Sequence, residues 1–419
     1  MEREFKDSGI EWIGQIPKEW KTCMFKHAYN ISNVGESIDK NYCTENQSDL
    51  LFYTAGLKPI HTNYKGFPKW KYTNRNDLLL ARNGTPYVYL PKYNSVYSDH
   101  IIRVDVKSAF CKAYVRYCLQ LAISAVIVDS VSLATWSISI WDKQFIPVPI
   151  LPKQQRIADY LDKKCGEIDE LIALQEQMIA QLTDYKQSVI TEAVTKGLNP
   201  DAEFVPSGFD WIGDVPKGWN IVPLRYLGRT QNGISQSGDY FGEGFPFVSY
   251  SDVYKNYSLP SIFNGLAKSS KQDQKLFSVI EGDVFFTRTS ETIDEIGFSS
   301  VCLKTVENAV FAGFLIRFRP YKNKIDKNFS KYYFRSNIHR AYFVKEMNLV
   351  TRASLSQELL KSLPVLLPPL SEQHAIATYL DTKCYEIDSL VAIKQQKIET
   401  LKDYKKSVIY EAVTGKMTV

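Results

Sequence analysis

The sequence predicts an α+β chain in which two mixed α/β globular domains are separated by two long helices, as a pseudo-twofold internal repeat. Three observations predict it. Ile157-Ala158 through Glu192-Ala193-Val194-Thr195 returns as Ile376-Ala377 through Glu411-Ala412-Val413-Thr414. Between these ends Tyr-Leu-Asp (160–162, 379–381), Glu-Ile-Asp (167–169, 386–388) and Asp-Tyr-Lys (184–186, 403–405) keep one spacing. A second repeat matches Ser8–Trp20 with Ser207–Trp219, each carrying Ile-Gly-x-Ile/Val-Pro-Lys-x-Trp. Finally, both long segments carry one apolar seam. Two copies of one unit imply a target with two parts.

The seam of the first helix is Leu161, Cys165, Ile168, Ile172, Gln175, Ile179, Leu182, Lys186, Val189 and Ala193. That of the second is Leu380, Cys384, Ile387, Val391, Lys394, Ile398, Leu401, Lys405, Val408 and Ala412. A 3.5-residue period sustained this long marks a coiled-coil seam. The alternative is an amphipathic pair inside one globular core. Roughly 40 residues at about 1.5 Å each give about 60 Å, too long for most small domains. Gln175/Lys394 and Lys186/Lys405 interrupt both seams at the same steps, and polar seam residues can fix register and partner at some cost in stability. Pro147, Pro149 and Pro152 precede one helix, and Pro364, Pro368 and Pro369 the other. Gly197 and Pro200 stop the first. The pairs Glu167/Asp169 and Glu386/Asp388 read as solvated faces, and Cys165 and Cys384 as small core hydrophobes.

The globular halves, about 21–150 and 220–367, share a skeleton. Asp77 to Arg82-Asn83-Gly84 parallels Asp283 to Arg288-Thr289-Ser290: an acidic turn, a short buried strand, and an Arg at its exit. Val96–Arg103 parallels Val310–Arg317, a strand ending in Arg. A helical stretch follows in each, about 109–127 and 327–346, and then Ser137-Ile138-Ser139 and Ser354-Leu355-Ser356. Short strands between Gly, Asn and Asp turns make each half mixed α/β. The loops share little, as in 64–72 against 268–275. A common scaffold with divergent loops suits two readers of two targets, and equally a duplication whose loops drifted.

The composition is that of an ordinary globular protein, 44% hydrophobic and 23% charged, long enough for two to four domains. A net charge of +5 permits a polyanionic partner without requiring one. Seven scattered cysteines with no C-x-x-C pair read as reduced thiols in a cytoplasmic protein. Neither a signal peptide nor a membrane-spanning stretch is expected. No catalytic or metal site is expected either. The sequence lacks a G-x-x-x-x-G-K-[ST] loop, G-x-G-x-x-G after a strand, Asn-Pro-Pro-aromatic and H-E-x-x-H. It offers no convincing Ser/His/Asp or Cys/His set. The chain reads as a recogniser.

Taken together, the motifs resemble the specificity (S) subunit of type I restriction-modification enzymes over essentially the full length. The resemblance rests on Gly-x-Ile/Val-Pro-x-x-Trp at 14–20 and 213–219, and on the helix starts Leu-Pro-x-Gln-Gln-x-Ile-Ala (151–158) and Leu-Ser-Glu-Gln-x-x-Ile-Ala-x-Tyr-Leu-Asp (370–381). It also rests on the repeated helix end Leu-x-Asp-Tyr-Lys-x-Ser-Val-Ile-x-Glu-Ala-Val-Thr. The first start lacks the Glu-Gln of the second. The resemblance implies target-recognition domains at 1–150 and 200–367, with helical spacers at 151–199 and 368–419. Each domain would read one half of a split asymmetric site in double-stranded DNA. The helices would form an antiparallel ruler that sets the gap and docks two methyltransferase (M) subunits. Motor-nuclease (R) subunits would complete the complex. S-adenosylmethionine, ATP and Mg would sit on those partners and no cofactor on this chain.

On this reading Lys69, Lys71, Arg82 and Asn83 in the first half, and Lys271, Lys275, Arg288 and Thr289 in the second, line the DNA face. Exposure after a buried strand and local basic density motivate the choice. The alternative for each is an ion pair with a nearby Asp, or a solvated lysine. Arg352, in the Thr351–Ser356 turn, is a further candidate. Trp70, Tyr72 and Trp136 are read as core, the alternative being that they flank DNA. Three other functions are weighed: an orphan S-type subunit directing methylation only, whose sequence would look the same; a coiled-coil scaffold with two protein-binding heads; and a fused restriction-modification enzyme, against which the missing methyltransferase and nuclease motifs argue.

Overall fold

The computed structural model describes residues 4–128, 135–290, 296–339, 342–343 and 353–419. The chain divides into two compact units, Met1–Glu176 with Gln395–Val419, and Gln177–Lys394. Each unit combines a mixed α/β globular part with half of each long helix. The fold class is therefore α+β, with the main-sheet strands in the same order in both units.

In the first unit four antiparallel strands form the main sheet, in the order Tyr29–Val34, Ile101–Val106, Asp77–Ala81, Val88–Tyr89. Asp77–Ala81 is buried throughout, so its two faces fill two cores. Leu78 and Leu80 pack with Tyr114, Val115 and Cys118 of the helix Lys112–Val128. Leu79 and Ala81 point the other way, as alternate strand residues must, and pack with Tyr53 and Tyr97 of a second sheet. That sheet runs Val96–Tyr97, Leu50–Tyr53, Ile60–Thr62, Cys43–Thr44.

The second unit repeats the plan. Its main sheet runs Gly228–Asn232, Leu315–Pro320, Val284–Thr287, Ser299–Val301. Val284 and Phe286 face one core and Phe285 the other. Gly35 and Gly233 occupy one site in the two scaffolds. A Cβ there would lie 2.1 Å from the carbonyl oxygen of Ser98 or of Ala312, so only glycine fits.

Two sequence registers are corrected. Ser137 is equivalent to Ser356, not Ser354, since each precedes a short helix, Ile138–Asp142 and Gln357–Ser362. The helical stretch of the second unit, expected over about 327–346, is interrupted: helical residues recur at 338–339 and 342–343, residues 340–341 and 344–346 lie outside the described residues, and the first helix is Lys327–Tyr333. It stops where Ser336 Oγ donates to the Tyr333 carbonyl (2.6 Å), taking an acceptor from the helix ladder.

The long helices are Leu151–Lys196 and Leu370–Val413, of 46 and 44 residues. Gly197, with φ +73°, ends the first. Every seam position is buried or half-buried. In the first unit Leu161 and Cys165 share a core with Val408 and Ala412, while further along Asp169 meets Lys405. In the second, Val189 and Ala193 share a core with Leu380 and Cys384, while Lys186 meets Asp388. Ascending one helix descends the other, so the pairing is antiparallel in each unit.

The repeated motifs are joints between globular part and helices. Buried Gln154 accepts from Cys111 N (2.9 Å) and donates to the Pro149 carbonyl (2.8 Å). Its counterpart Gln373 accepts from Asp326 N and donates to the Pro368 carbonyl, both at 2.8 Å. The motif tryptophans pack on the glycines at the helix ends, Trp20 on Gly415 and Trp219 on Gly197. Where the motif differs, the bonding differs: Glu372 accepts from Trp219 Nε1 (2.9 Å), whereas Lys153 reaches the Val419 carbonyl.

Candidate nucleic-acid interface

The arginine at the exit of the central strand is held alike in both units. Arg82 N donates to the His100 carbonyl (2.8 Å) and its own carbonyl accepts from Trp136 N. Arg288 N donates to the Phe314 carbonyl (2.9 Å) and its carbonyl accepts from Leu355 N (2.7 Å). The next residues continue the pairing, Asn83 with Thr135 and Thr289 with Ser354. Backbone geometry therefore fixes both exits, leaving the side chains half-buried. Arg82 donates through Nη1 to the Asp99 carbonyl (3.3 Å), and Asn83 Oδ1 lies 3.4 Å from His100 Nδ1.

Beside these exits the sequence reading missed two residues. His100 and Phe314 occupy equivalent turns between strands, and both are exposed. Only the structure makes the pair visible, because their side chains share no chemistry.

Of the basic candidates, Lys69, Lys271 and Lys275 are exposed. Lys271 lies 3.4 Å from Asn308 Oδ1 and over the Phe245 ring. Ser270 and Asp273 form a capping box that holds the helix Lys271–Leu276 carrying both lysines. Lys71 does not belong to the set. It is buried, and its ammonium donates to the carbonyls of Gly35 (3.1 Å) and Val34. Burial lowers its pKa, with Glu36 opposing.

Trp70, expected in the core, is 58% exposed, with the Lys71 ammonium 4.3 Å from its ring. Trp136 is core, and its Nε1 donates to the Gly84 carbonyl (2.8 Å). Tyr72 is half-buried. Arg352, with Thr351, lies outside the described residues.

Arg103, Arg317 and Arg319, inside the main sheets, are engaged within the scaffold. Arg103 pairs with wholly buried Asp77 (2.7 Å). In the second unit the acid's partner moves two residues along: Asp283 pairs with Arg319 (2.6 Å). Arg317 instead donates to the Ser278 carbonyl (2.6 Å) and to Gln231 Oε1, and burial brings its pKa down to about 10. Removing one member of such a pair strands a buried charge. Among the described residues no three His, Cys, Asp or Glu gather as a metal site. No described helix is long and apolar enough to cross a membrane.

The model of the family described as the type I restriction modification DNA specificity domain matches residues 17–184 and again 216–403. The chain belongs to this family. The two matches follow the two units' globular parts and the helices that leave them. The chain is 22% identical to the type I restriction enzyme EcoBI specificity subunit of Escherichia coli, over 99% of this chain and 90% of that one. A protein assigned as the MjaX specificity subunit of Methanocaldococcus jannaschii is 27% identical over 65% of this chain, which spans 59% of that relative's length. The MjaVIII specificity subunit of the same organism is 25% identical over 83% of this chain and 80% of its own. Among solved structures, a chain from a study of type I restriction-modification complex assembly superimposes with a TM-score of 0.70 at 16% identity, covering 96% of this chain and 99% of that one. That likeness concerns the fold.

Proposed function

We propose that this chain is the DNA-recognition subunit of a type I restriction-modification complex, reading a bipartite asymmetric site. One observation carries the reading. Two scaffolds hold the same backbone at Arg82 and Arg288 and surround it with different side chains, Asn83 and His100 in one, Thr289 and Phe314 in the other. Equal geometry with unequal chemistry suits two half-sites of different sequence, because base edges are discriminated by donor and acceptor pattern. Lys69, Lys271 and Lys275 would hold phosphates.

The chain itself would be non-catalytic. Adenine N6-methylation would belong to two M subunits that bind S-adenosylmethionine, and ATP- and Mg-dependent cleavage to R subunits, all in the cytoplasm. The long helices support docking of a partner that binds twice. Leu171, Leu174 and Tyr404 are exposed in the first unit, and their repeat counterparts Leu390, Ile393 and Tyr185 in the second. Apolar residues left uncovered at matching positions mark an interaction surface.

The test is a methylome. The chain is expressed with its cognate M subunit in a methylation-free host, and N6-methyladenine is mapped by single-molecule sequencing. The reading expects a split asymmetric motif that disappears when the chain is omitted. No motif, with the M subunit present and bound, would instead favour a scaffold with two protein-binding heads.

A further inference from the structure

We propose that Lys405–Asp169 and Lys186–Asp388 are register clamps that determine which gap between half-sites the chain accepts; this rests on the two-half-site reading above. Asp169 and Asp388 lie on solvated faces, as the sequence implied, with side chains 58% and 60% exposed, and each also reaches across to the other helix. Glu167 and Glu386 stay on their own helices, paired with Lys164 and Lys383. The aspartates cross to the other helix. Lys186 Nζ lies 2.8 and 2.7 Å from the two carboxylate oxygens of Asp388, and Lys405 Nζ 2.7 Å from both of Asp169. Both lysines occupy seam positions and are largely covered, 17% and 28% exposed. A lysine in a seam costs stability and contributes selectivity of register.

The neighbouring registers are disfavoured by named residues. With Lys405 beside Asp169, the seam falls into layers such as Cys165 with Val408, and Cys384 with Val189. A slip of one heptad in one direction brings Lys186 into the layer of Lys394, setting two cations together. A slip the other way would offer Asp162 to Lys405 and Asp381 to Lys186, one heptad from the present partners. Both of those aspartates are already engaged by the globular parts. Asp162 accepts from Arg116 (3.1 Å) and Tyr117 (2.7 Å), and Asp381 from Lys331 (2.5 Å) and Tyr332 (2.8 Å). In each unit one aspartate thus ties the globular part to its helix, and the next, a heptad on, ties helix to helix. The length of helix between recognition surface and clamp is thereby fixed.

The test compares Lys405→Asp and Lys186→Asp with the swap Lys405→Asp/Asp169→Lys, each in the full chain bound to its M subunit. Two readouts are used. The first is the gap distribution of methylated sites. The second is disulfide yield in a Val408→Cys background, where oxidation to native Cys165 reports the register without DNA. The clamp predicts that each reversal keeps both half-site sequences and adds methylation at gaps one or more base pairs away. It also predicts that Lys405→Asp lowers the disulfide yield at least twofold, and that the swap restores both. Unchanged gap and unchanged yield in the reversals would overturn it. Should a reversal fail to assemble with M, the swap decides: one restored gap supports the clamp, a broadened one overturns it. If the parent chain gives no bipartite motif, the two-half-site reading fails, and the disulfide assay alone still reports the clamp.

Discussion

Gln154 is the residue whose replacement tests the joint between helix and globular part most directly. It is 1% exposed. Its carboxamide satisfies one buried donor, Cys111 N, and one buried acceptor, the Pro149 carbonyl. In Gln154→Ala both backbone groups stay buried without partners, at about 1–3 kcal/mol each. The cavity left behind adds to this, so the loss is about 2–6 kcal/mol or more. A unit of this size loses about 2–4 °C per kcal/mol, so the midpoint of the first unit falls by about 4–24 °C. The neighbour Gln155 is exposed, bonding Asp159 on its own helix (2.8 Å) and accepting from the Cys111 thiol (3.3 Å), so Gln155→Ala costs less, about 1 kcal/mol or below. Thermal and urea melts of the full chain by circular dichroism measure all three. A Gln154→Ala midpoint within about 1 °C of the parent, or equal to that of Gln155→Ala, would refute the argument. Gln373→Ala tests the same chemistry in the second unit and is expected to lower that unit's midpoint by a similar amount.

Three further outcomes are expected. Lys71→Met lowers stability by about 1–2 kcal/mol, because the carbonyls of Val34 and Gly35 lose their donor, and leaves the salt dependence of DNA binding unchanged; Lys69→Ala does the reverse, reducing the slope by about one phosphate contact. A gel-shift salt series beside a urea melt separates the two. His339 is buried, with Nε2 3.1 Å from the Tyr333 carbonyl, and burial lowers its pKa to about 4. Its folded value lies below the unfolded one of about 6.5, so its contribution is complete above that pH and lost as pH falls toward 4. That is about 2 kcal/mol by pH 5, and urea midpoints of the parent and His339→Phe at pH 7.5 and 5 should diverge accordingly. Arg288→Ala should relax base preference in one half-site only, read from the methylome; an unchanged motif would remove Arg288 from the interface.

Much of the fold was written in the residues because it rests on periodicity. The 3.5-residue seam shows as apolar residues at fixed steps, broken only at Gln175/Lys394 and Lys186/Lys405, and every seam position is buried or half-buried in the structure. Asp77–Ala81 was visible as a strand because a run of leucines between an acidic turn and Arg82 has to be buried on both faces. The two-residue slip at Ser354 has a plain cause. Ser137 and Ser356 are equivalent as helix caps, and a Ser-x-Ser pattern does not reveal which serine caps.

The candidate interface was legible in its backbone and illegible in its side chains. Arg82 and Arg288 could be found because a buried strand must end and a charged residue marks the exit. Lys71 could not be sorted from Lys69, since burial depends on carbonyls at Val34 and Gly35, far away in sequence. His100 and Phe314 went unseen for the reason that makes them informative. A scaffold holds a turn in place through backbone bonds to Arg82 N and Arg288 N, which any residue at that turn can accept. The side chain there is consequently unconstrained by folding, so an imidazole in one half and a phenyl ring in the other leave the fold unchanged. Whatever distinguishes the two halves in what they bind has to come from such positions, because the residues that build the scaffold are already committed to each other.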